Sequence, residues 1–280
     1  ELGEAIRPLS PLLANLSWLP AIGYISADVT DKYKQDEYSN QDPSKGRASK
    51  QLVTQLLASV FLPTAAVKVG QGLVDAASQM SDTGLSLTNK EKVSDVVLNS
   101  MNAGEHKNFL NEAGQIDKAA YKESLYGQFD EILKHRNTHQ NKNVFTRVVS
   151  AVKKTLSRKP AAEKVRNYTN MVVDRLIDER QQLLDGVKPE NMSQKGFNKF
   201  LKAVKNVGVE EKQSLAFDAI RKLEKGRMFN NRILKSIGGL MALSLMAKPI
   251  DNFVETVIID KYVGPAIDKV KTYNHHGENA

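Results

Sequence analysis

Residues 229–262 read FNNRILKSIGGLMALSLMAKPIDNFVETVIIDKY, and the spacing of their apolar side chains decides the fold. Ile250, Phe253, Val254, Val257 and Ile258 recur every three or four residues, which places them on one face of an α-helix. The segment before them, Ser236–Ala247, is apolar on every side, as a helix enclosed by protein or lipid would be. Pro249 lacks the N–H that an unbroken helix needs, so a break is expected there. Gly264-Pro265 should end the second helix, and residues 274–280 read as a polar tail. No stretch sustains the apolar–polar alternation of a half-buried strand. Asp185-Gly186 follows a helical pattern, so it reads as a helix stop rather than a hairpin turn. The expected fold is all-α.

The N-terminal end repeats this organisation. Pro8–Ala27 carries no charge and leads into a helical face at Ile22, Ile25, Val29 and Tyr33. Pro20 suits the first turn of that helix, where a missing N–H costs nothing. Pro20-x3-Tyr24-Ile25-x3-Val29-x-Asp31-Lys32-Tyr33 aligns without gaps on Pro249-x3-Phe253-Val254-x3-Ile258-x-Asp260-Lys261-Tyr262. Chance among apolar helices explains this weak echo as readily as two like units packed as a pair. Residues 35–50 form a polar linker. A second uncharged run, Gln51–Val67, is interrupted by Pro63 and continues as an Ala/Gly-rich helix to about Met80.

Charge follows the same division. Residues 89–232 hold 28 of the 40 Lys and Arg against 18 Asp and Glu, a local net of +10 within a total of +8. Thr88-Asn-Lys-Glu91 has capping-box spacing and opens this region. Helical stripes follow at Val93, Val96, Val97 and Met101, and at Leu125, Phe129, Ile132 and Leu133. Others are Val165, Tyr168, Val172 and Leu176 before Gly186, and Phe197, Phe200, Leu201 and Val204 before Gly208. The last, Leu215, Ala219, Ile220 and Leu223, is expected to end at Gly226. Such stripes need partner faces, so the middle should be a helical bundle. The expected division is 1–87 for the apolar N-terminal helices, 88–228 for the basic bundle and 229–273 for the C-terminal helices. The terminal segments, broken by prolines, are expected to pack together.

A hydrocarbon core of about 30 Å asks for about 20 apolar residues. Pro8–Ala27 has that length only by including three prolines, Asn15 and Ser17. Gln51–Val67 is shorter and starts with Gln51, Thr54 and Gln55. Ser236–Ala247 is shorter still, but Lys235 and Lys248 could snorkel outward and extend the span. Gly238-Gly239 would let another helix approach closely. Trp18, Ile237, Leu240, Leu243 and Leu245 are the side chains expected to meet membrane or to pack within the apolar segments.

Residues 134–166 carry ten Lys and Arg and one acid, Glu163. Phe145, Val148, Val149, Val152 and Leu156 form an apolar stripe there, with Arg147, Lys153, Lys154 and Arg158 off it and Lys142 and Lys159 flanking. These six basic residues are the expected anionic-surface site, suited to lipid headgroups. A solvated bundle face is the plainer reading of the same pattern. Nucleic acid is disfavoured, because Phe145 is the only aromatic in the stretch and lies on the apolar stripe, leaving no stacking platform. Glu210 and Glu211, at the start of the helix after Gly208, would repel phosphate where a recognition helix should approach.

At 280 residues the chain can hold one large or two ordinary domains. The absence of cysteine removes disulfides, thiolate catalysis and Cys-type zinc sites. Glu131, His135 and His139 are spaced along one helical face, but a solvated polar face explains them better than a metal site. No phosphate loop, dinucleotide fingerprint or nucleophile elbow occurs; Gly70-Gln-Gly72 lacks the preceding strand. No cofactor, metal, catalytic residue or small-molecule substrate is expected. The expected function is a non-enzymatic, membrane-associated scaffold or adaptor that presents the basic domain to an anionic membrane surface. Lys and Arg beside apolar segments favour the cytoplasmic face. The alternative is a soluble all-α interaction protein, with a protein partner or self-association; non-specific nucleic-acid binding stands behind both.

Overall fold

The computed structural model describes residues 2–34, 44–81, 83–110, 116–134 and 162–267, with 130–134 described by backbone alone. The fold is all-α. No strand occurs among the described residues, and Leu110 and Ile116 form an isolated bridge. The chain divides into two compact units. The first takes its described residues from both ends of the sequence, up to Val74 and from Ile233; the second runs between Asp75 and Arg232.

In the first unit, the uncharged N-terminal run makes three short elements: part of a loop, α2 (Pro11–Leu16) and the start of α3 (Trp18–Lys34), preceded by α1 (Leu2–Ile6). Ser10 is extended and caps α2, accepting the Leu13 N–H at 3.3 Å, with Pro11 in the first helical position. Pro20 falls in the first turn of α3, as its chemistry requires. α3 packs on α4 (Lys45–Gln55), which Ser44 caps through the Arg47 N–H. α4 leads without a gap into a π-helical turn, Leu56–Phe61, and then α5 (Leu62–Ser78). Pro63 therefore does not interrupt the run. A proline ring clashes with the carbonyl four residues back, and the wider π turn displaces that carbonyl. The final helix, which we number α10 (Val209–Phe253), likewise passes through Pro249 and continues as π-helix over Val254–Val263. Gly264 keeps right-handed helical angles, so the helix also runs on past Pro265 to Ile267.

α4 lies against Val254–Val263, while Gly70 and Val74 lie against Gly238. The N- and C-terminal helices of this unit thus run antiparallel and pack together. Ala66, Ile250, Val254 and Ile259 form one small core, and Ala5, Val67 and Leu243 another. α3 and the C-terminal segment, the two halves of the sequence echo, both lean on α4.

The second unit comprises α6 (Leu87–Asn102), α7 (Lys118–Lys134), α8 (Ala162–Leu184), α9 (Gln194–Ala203) and the beginning of α10, with a 3-10 turn at Glu105–Phe109. Its core joins Val93, Val97 and Met101 to Tyr121, Leu125 and Phe129, and to Val165, Val172 and Leu176. Phe197, Phe200 and Ile220 complete it, whereas Leu201 turns outward. Apart from Leu201, the described side chains of the stripes read in this region of the sequence therefore face this interior; the side chains of Ile132 and Leu133 and the stripe of Phe145, Val148, Val149, Val152 and Leu156 lie outside the described residues. Three local expectations are corrected. Ser86, not Thr88, caps α6 through the Asn89 N–H at 3.3 Å, because the Asp75 carboxylate engages both the Thr88 N–H and its hydroxyl. α9 ends at Ala203, before Gly208. Gly226 ends no helix: its φ is not left-handed and neither proline nor cap follows, so α10 continues through Phe229. Gly186 does stop α8. At φ 75° it donates to Leu183 O, and Val187 donates to Gln182 O at 2.7 Å, the paired bonds of a Schellman end.

Candidate functional site

The first unit is built around a close helix crossing. A Cβ placed on Gly70 of α5 would lie 2.2 Å from the Gly238 carbonyl oxygen and 2.5 Å from the Ala242 Cβ. A Cβ on Gly238 would lie 2.3 Å from Val74 Cγ2, and one on Gly239 would lie 3.0 Å from Val67 Cγ1. Only glycine fits the first two positions without movement of the helices. Small residues that bring backbones into contact are the packing mode of helices that lipid surrounds, where no hydrophobic force draws bulky side chains together.

Beside this crossing the unit carries apolar faces that its own described residues leave uncovered. Leu234, Ile237, Met241 and Leu245 form one stripe along α10, spaced by three or four residues, and Leu245 is 75% exposed. Leu12, Leu19, Ile22 and Tyr24 are each more than half exposed on α2 and α3, and α3 buries none of its residues fully. Most of the exposed large apolar side chains among the described residues belong to this unit.

α1 brings charge to the crossing. Glu4 is only 5% exposed, beside Ala5, which packs against Val67 and Leu243. Its carboxylate accepts from Arg7 Nε at 2.9 and 3.0 Å and pairs with Lys68 Nζ at 2.9 Å. Gln71 Nε2 donates to the Glu4 carbonyl at 3.0 Å, tying α1 to α5. Burial by itself would push the Glu4 carboxyl up, but hydrogen bonds from Arg7 and Lys68 and the charge of both hold it at about 2. The positive charge of Lys68 is thereby answered from the N-terminus.

Of the residues read from the sequence as membrane or packing contacts, Ile237 and Leu245 point outward, Leu240 and Leu243 pack inward, and Trp18 is half-buried at the start of α3. Lys235, expected to reach outward, is instead buried, while Lys248 is exposed. Lys142, Arg147, Lys153, Lys154, Arg158 and Lys159 lie outside the described residues, as do His135, His139 and the side chain of Glu131. No group of three or more metal-ligating side chains occurs among the described residues. Gly238-Gly239 was read as a place where another helix approaches closely, but its partner Gly70 and the Glu4 pairing were missed by sequence reasoning. The one available signal was a glycine at each of two positions inside apolar helices, where a packing reason is the usual one.

A second charged centre lies in the second unit. Glu224 on α10 is 1% exposed and accepts from Ser94 Oγ at 2.8 Å and from Arg175 Nη2 at 2.9 Å on both oxygens. Arg227 bridges Glu224 and Glu179, with Nη1 at 3.0 and 3.1 Å from their oxygens. Two carboxylates and two guanidiniums thus alternate and join α6, α8 and α10. Burial, then the Glu224 charge, pushes the Tyr168 hydroxyl above its ordinary range. Each charge in the network is answered within it, which makes it a structural tie of the bundle.

Compared with protein-family models, curated proteins and solved structures, the chain matches none.

Proposed function

We propose that the first unit inserts into a membrane through its uncharged runs, chiefly those in Lys45–Ser78 and the C-terminal half of α10, and anchors the second unit at the cytoplasmic face as a non-enzymatic scaffold or adaptor. The observation that carries this reading is the poor cover of the most apolar helices. In Lys45–Ser78 the most apolar stretch has a mean hydropathy of 1.6 and is 17% buried; in Val209–Ile267 the figures are 1.4 and 28%. A core helix of a water-soluble protein is mostly covered by its own chain, and an apolar surface of this extent needs another cover. The glycine crossing supplies the inner contact, and the stripe from Leu234 to Leu245 supplies a lipid-facing side. Ile233–Phe253 is about 30 Å long at 1.5 Å per residue, enough for one crossing.

The antiparallel pair supports a topology as well. Val74 and Ile233, where the chain passes to the second unit, are at the same end of the pair, so both links emerge on one side. Arg221, Lys222, Lys225, Arg227 and Arg232, close before Ile233, favour the cytoplasm for that side.

Cell fractionation tests the proposal. The full chain should pellet with membranes and stay there after carbonate washing, which releases proteins held only at the interface. Recovery as a monodisperse species without detergent would establish the soluble interaction protein instead. The basic stretch has its own test, since each Lys or Arg near an anionic leaflet is worth about 1 kcal/mol. Replacing Arg147, Lys153, Lys154 and Arg158 with Glu should abolish retention of the detergent-solubilised protein on anionic vesicles at low salt. Undiminished retention would reduce that stretch to solvated surface.

A further inference from the structure

A cleft of about 660 Å³ opens in the first unit between α3, α4 and the C-terminal helix. That volume falls within the roughly 300–1,000 Å³ of small-molecule sites. Its walls carry opposite charge. Lys32, Arg47 and Lys50 line it from α3 and α4, and Asp251, Glu255 and Asp260 line it from the C-terminal helix. The floor between them is polar, with Gln51, Thr54, Gln55 and Ser59. Lys50, Asp251, Glu255 and Asp260 form no ion pair with one another among the described residues. Two facing walls of opposite sign, held apart, suit an occupant that carries both signs.

The depth of the cleft identifies the occupant. On all three helices the chain changes from uncharged to charged at this level. Asp28 is the first charge after the run Pro8–Ala27, Lys50 is the last before Gln51–Val67, and Lys248 and then Asp251 follow Ser236–Ala247. The three changes are in register: Asp28 accepts from Gln55 at 2.7 Å and also from Gln51, both of which line the cleft. With the uncharged runs in hydrocarbon, the cleft lies in the headgroup layer.

We propose that this cleft binds the headgroup of a zwitterionic phospholipid with a primary amine, a phosphatidylethanolamine. The phosphate meets Lys50 on the basic wall and the ammonium donates hydrogen bonds to the carboxylates. A choline headgroup has no N–H to give them and is recognised by aromatic cages, whereas no aromatic side chain among the described residues lines this cleft. A purely anionic headgroup leaves the three carboxylates unanswered. The proposal rests on the membrane reading above, and its test separates the two.

The detergent-solubilised full chain is offered equal amounts of phosphatidylethanolamine, phosphatidylcholine and phosphatidylglycerol, and retained lipid is measured by mass spectrometry. Wild type should retain phosphatidylethanolamine about tenfold over phosphatidylcholine, the factor expected from one net charge-assisted hydrogen bond. Asp251→Asn with Glu255→Gln should remove that preference, and Lys50→Gln should weaken retention of all three lipids. These are exposed positions, so the variants leave the fold intact. Equal retention of the amine and choline lipids by wild type overturns the proposal, as does a preference that survives the double variant. Displacement of the lipid by an equal concentration of free O-phosphoethanolamine also overturns it, assigning the cleft to a soluble zwitterion. In parallel, wild type is reconstituted into phosphatidylcholine vesicles and washed with carbonate. Protein that stays in these vesicles but shows no lipid preference sinks the headgroup site alone; protein that the carbonate releases sinks both readings.

Discussion

Glu224 shows how much one buried side chain can hold. It faces Ser94, Arg175 and Arg227 at once, and its loss leaves two guanidiniums without their shared carboxylate. Breaking a buried pair by removing one partner costs about 3–5 kcal/mol. Glu224→Ala should lower the unfolding free energy of the second unit by that amount in a urea titration, and a loss under about 1 kcal/mol would show the network to be solvated. Glu4 gives a pH dependence of known sign. Its carboxyl is held at about 2 in the folded protein against an ordinary 4.5, so its stabilisation is complete above about 4.5. That stabilisation should disappear as pH falls towards 2, and Glu4→Gln should flatten the acid limb of a thermal-melting profile. Gly70→Ala should cost about 1–3 kcal/mol, since the added carbon meets the Gly238 carbonyl at 2.2 Å. Detergent-phase melting of the variant checks this. Of these roles only the close approach at Gly238-Gly239 was legible in the sequence, and its partner Gly70 was not. Glu224 stands in Lys-Leu-Glu-Lys, which reads as a solvated face, and its partners Ser94 and Arg175 are far away along the chain. Pairing at that separation leaves no local pattern.

At the scale of the helix, periodicity was a sound guide and punctuation was not. The apolar stripes from Val93 to Ile220 supply the core of the second unit, because a 3.6-residue repeat is a property of the sequence itself. Proline and glycine were given too much weight as stops. Pro63, Pro249 and Gly226 all lie within continuous helix, and what decided each was the neighbouring turn or the tertiary face on either side. Ser86 displaced Thr88 as a cap because Asp75, thirteen residues earlier, took the Thr88 hydroxyl. Gly226 makes the point measurable. It is exposed and right-handed, and an added methyl group would meet nothing within 4 Å, so Gly226→Ala should raise stability by about 0.5–1 kcal/mol. An unchanged or lowered chemical midpoint would mean that α10 is bent or broken there.

For the whole molecule, the charge division of the sequence and the division into units nearly coincide. The basic excess lies in residues 89–232, and the second unit runs between Asp75 and Arg232. The uncharged runs had suggested segments that pack together, and they do, although Gly70 as the partner of Gly238 and the outward stripe appeared only in three dimensions. That stripe offers a direct test. Ile237→Lys with Leu245→Lys places two charges on a face that a soluble protein would readily wet. In lipid each costs about 2.5–3.5 kcal/mol near the centre of a span. The doubly substituted chain should move from the membrane pellet to the supernatant or be degraded, whereas a soluble protein would keep its yield and distribution. The widened turn at Leu56–Phe61 bears on chain length. A π turn holds one residue more than the α-helix it interrupts, and leaves the faces on either side in phase. Deleting Val60 would restore α geometry and keep Gly70 towards Gly238, but it would also return a carbonyl to the ring of Pro63. The deletion and Pro63→Ala should therefore be epistatic: the shortened chain tolerates its loss only when the proline goes with it.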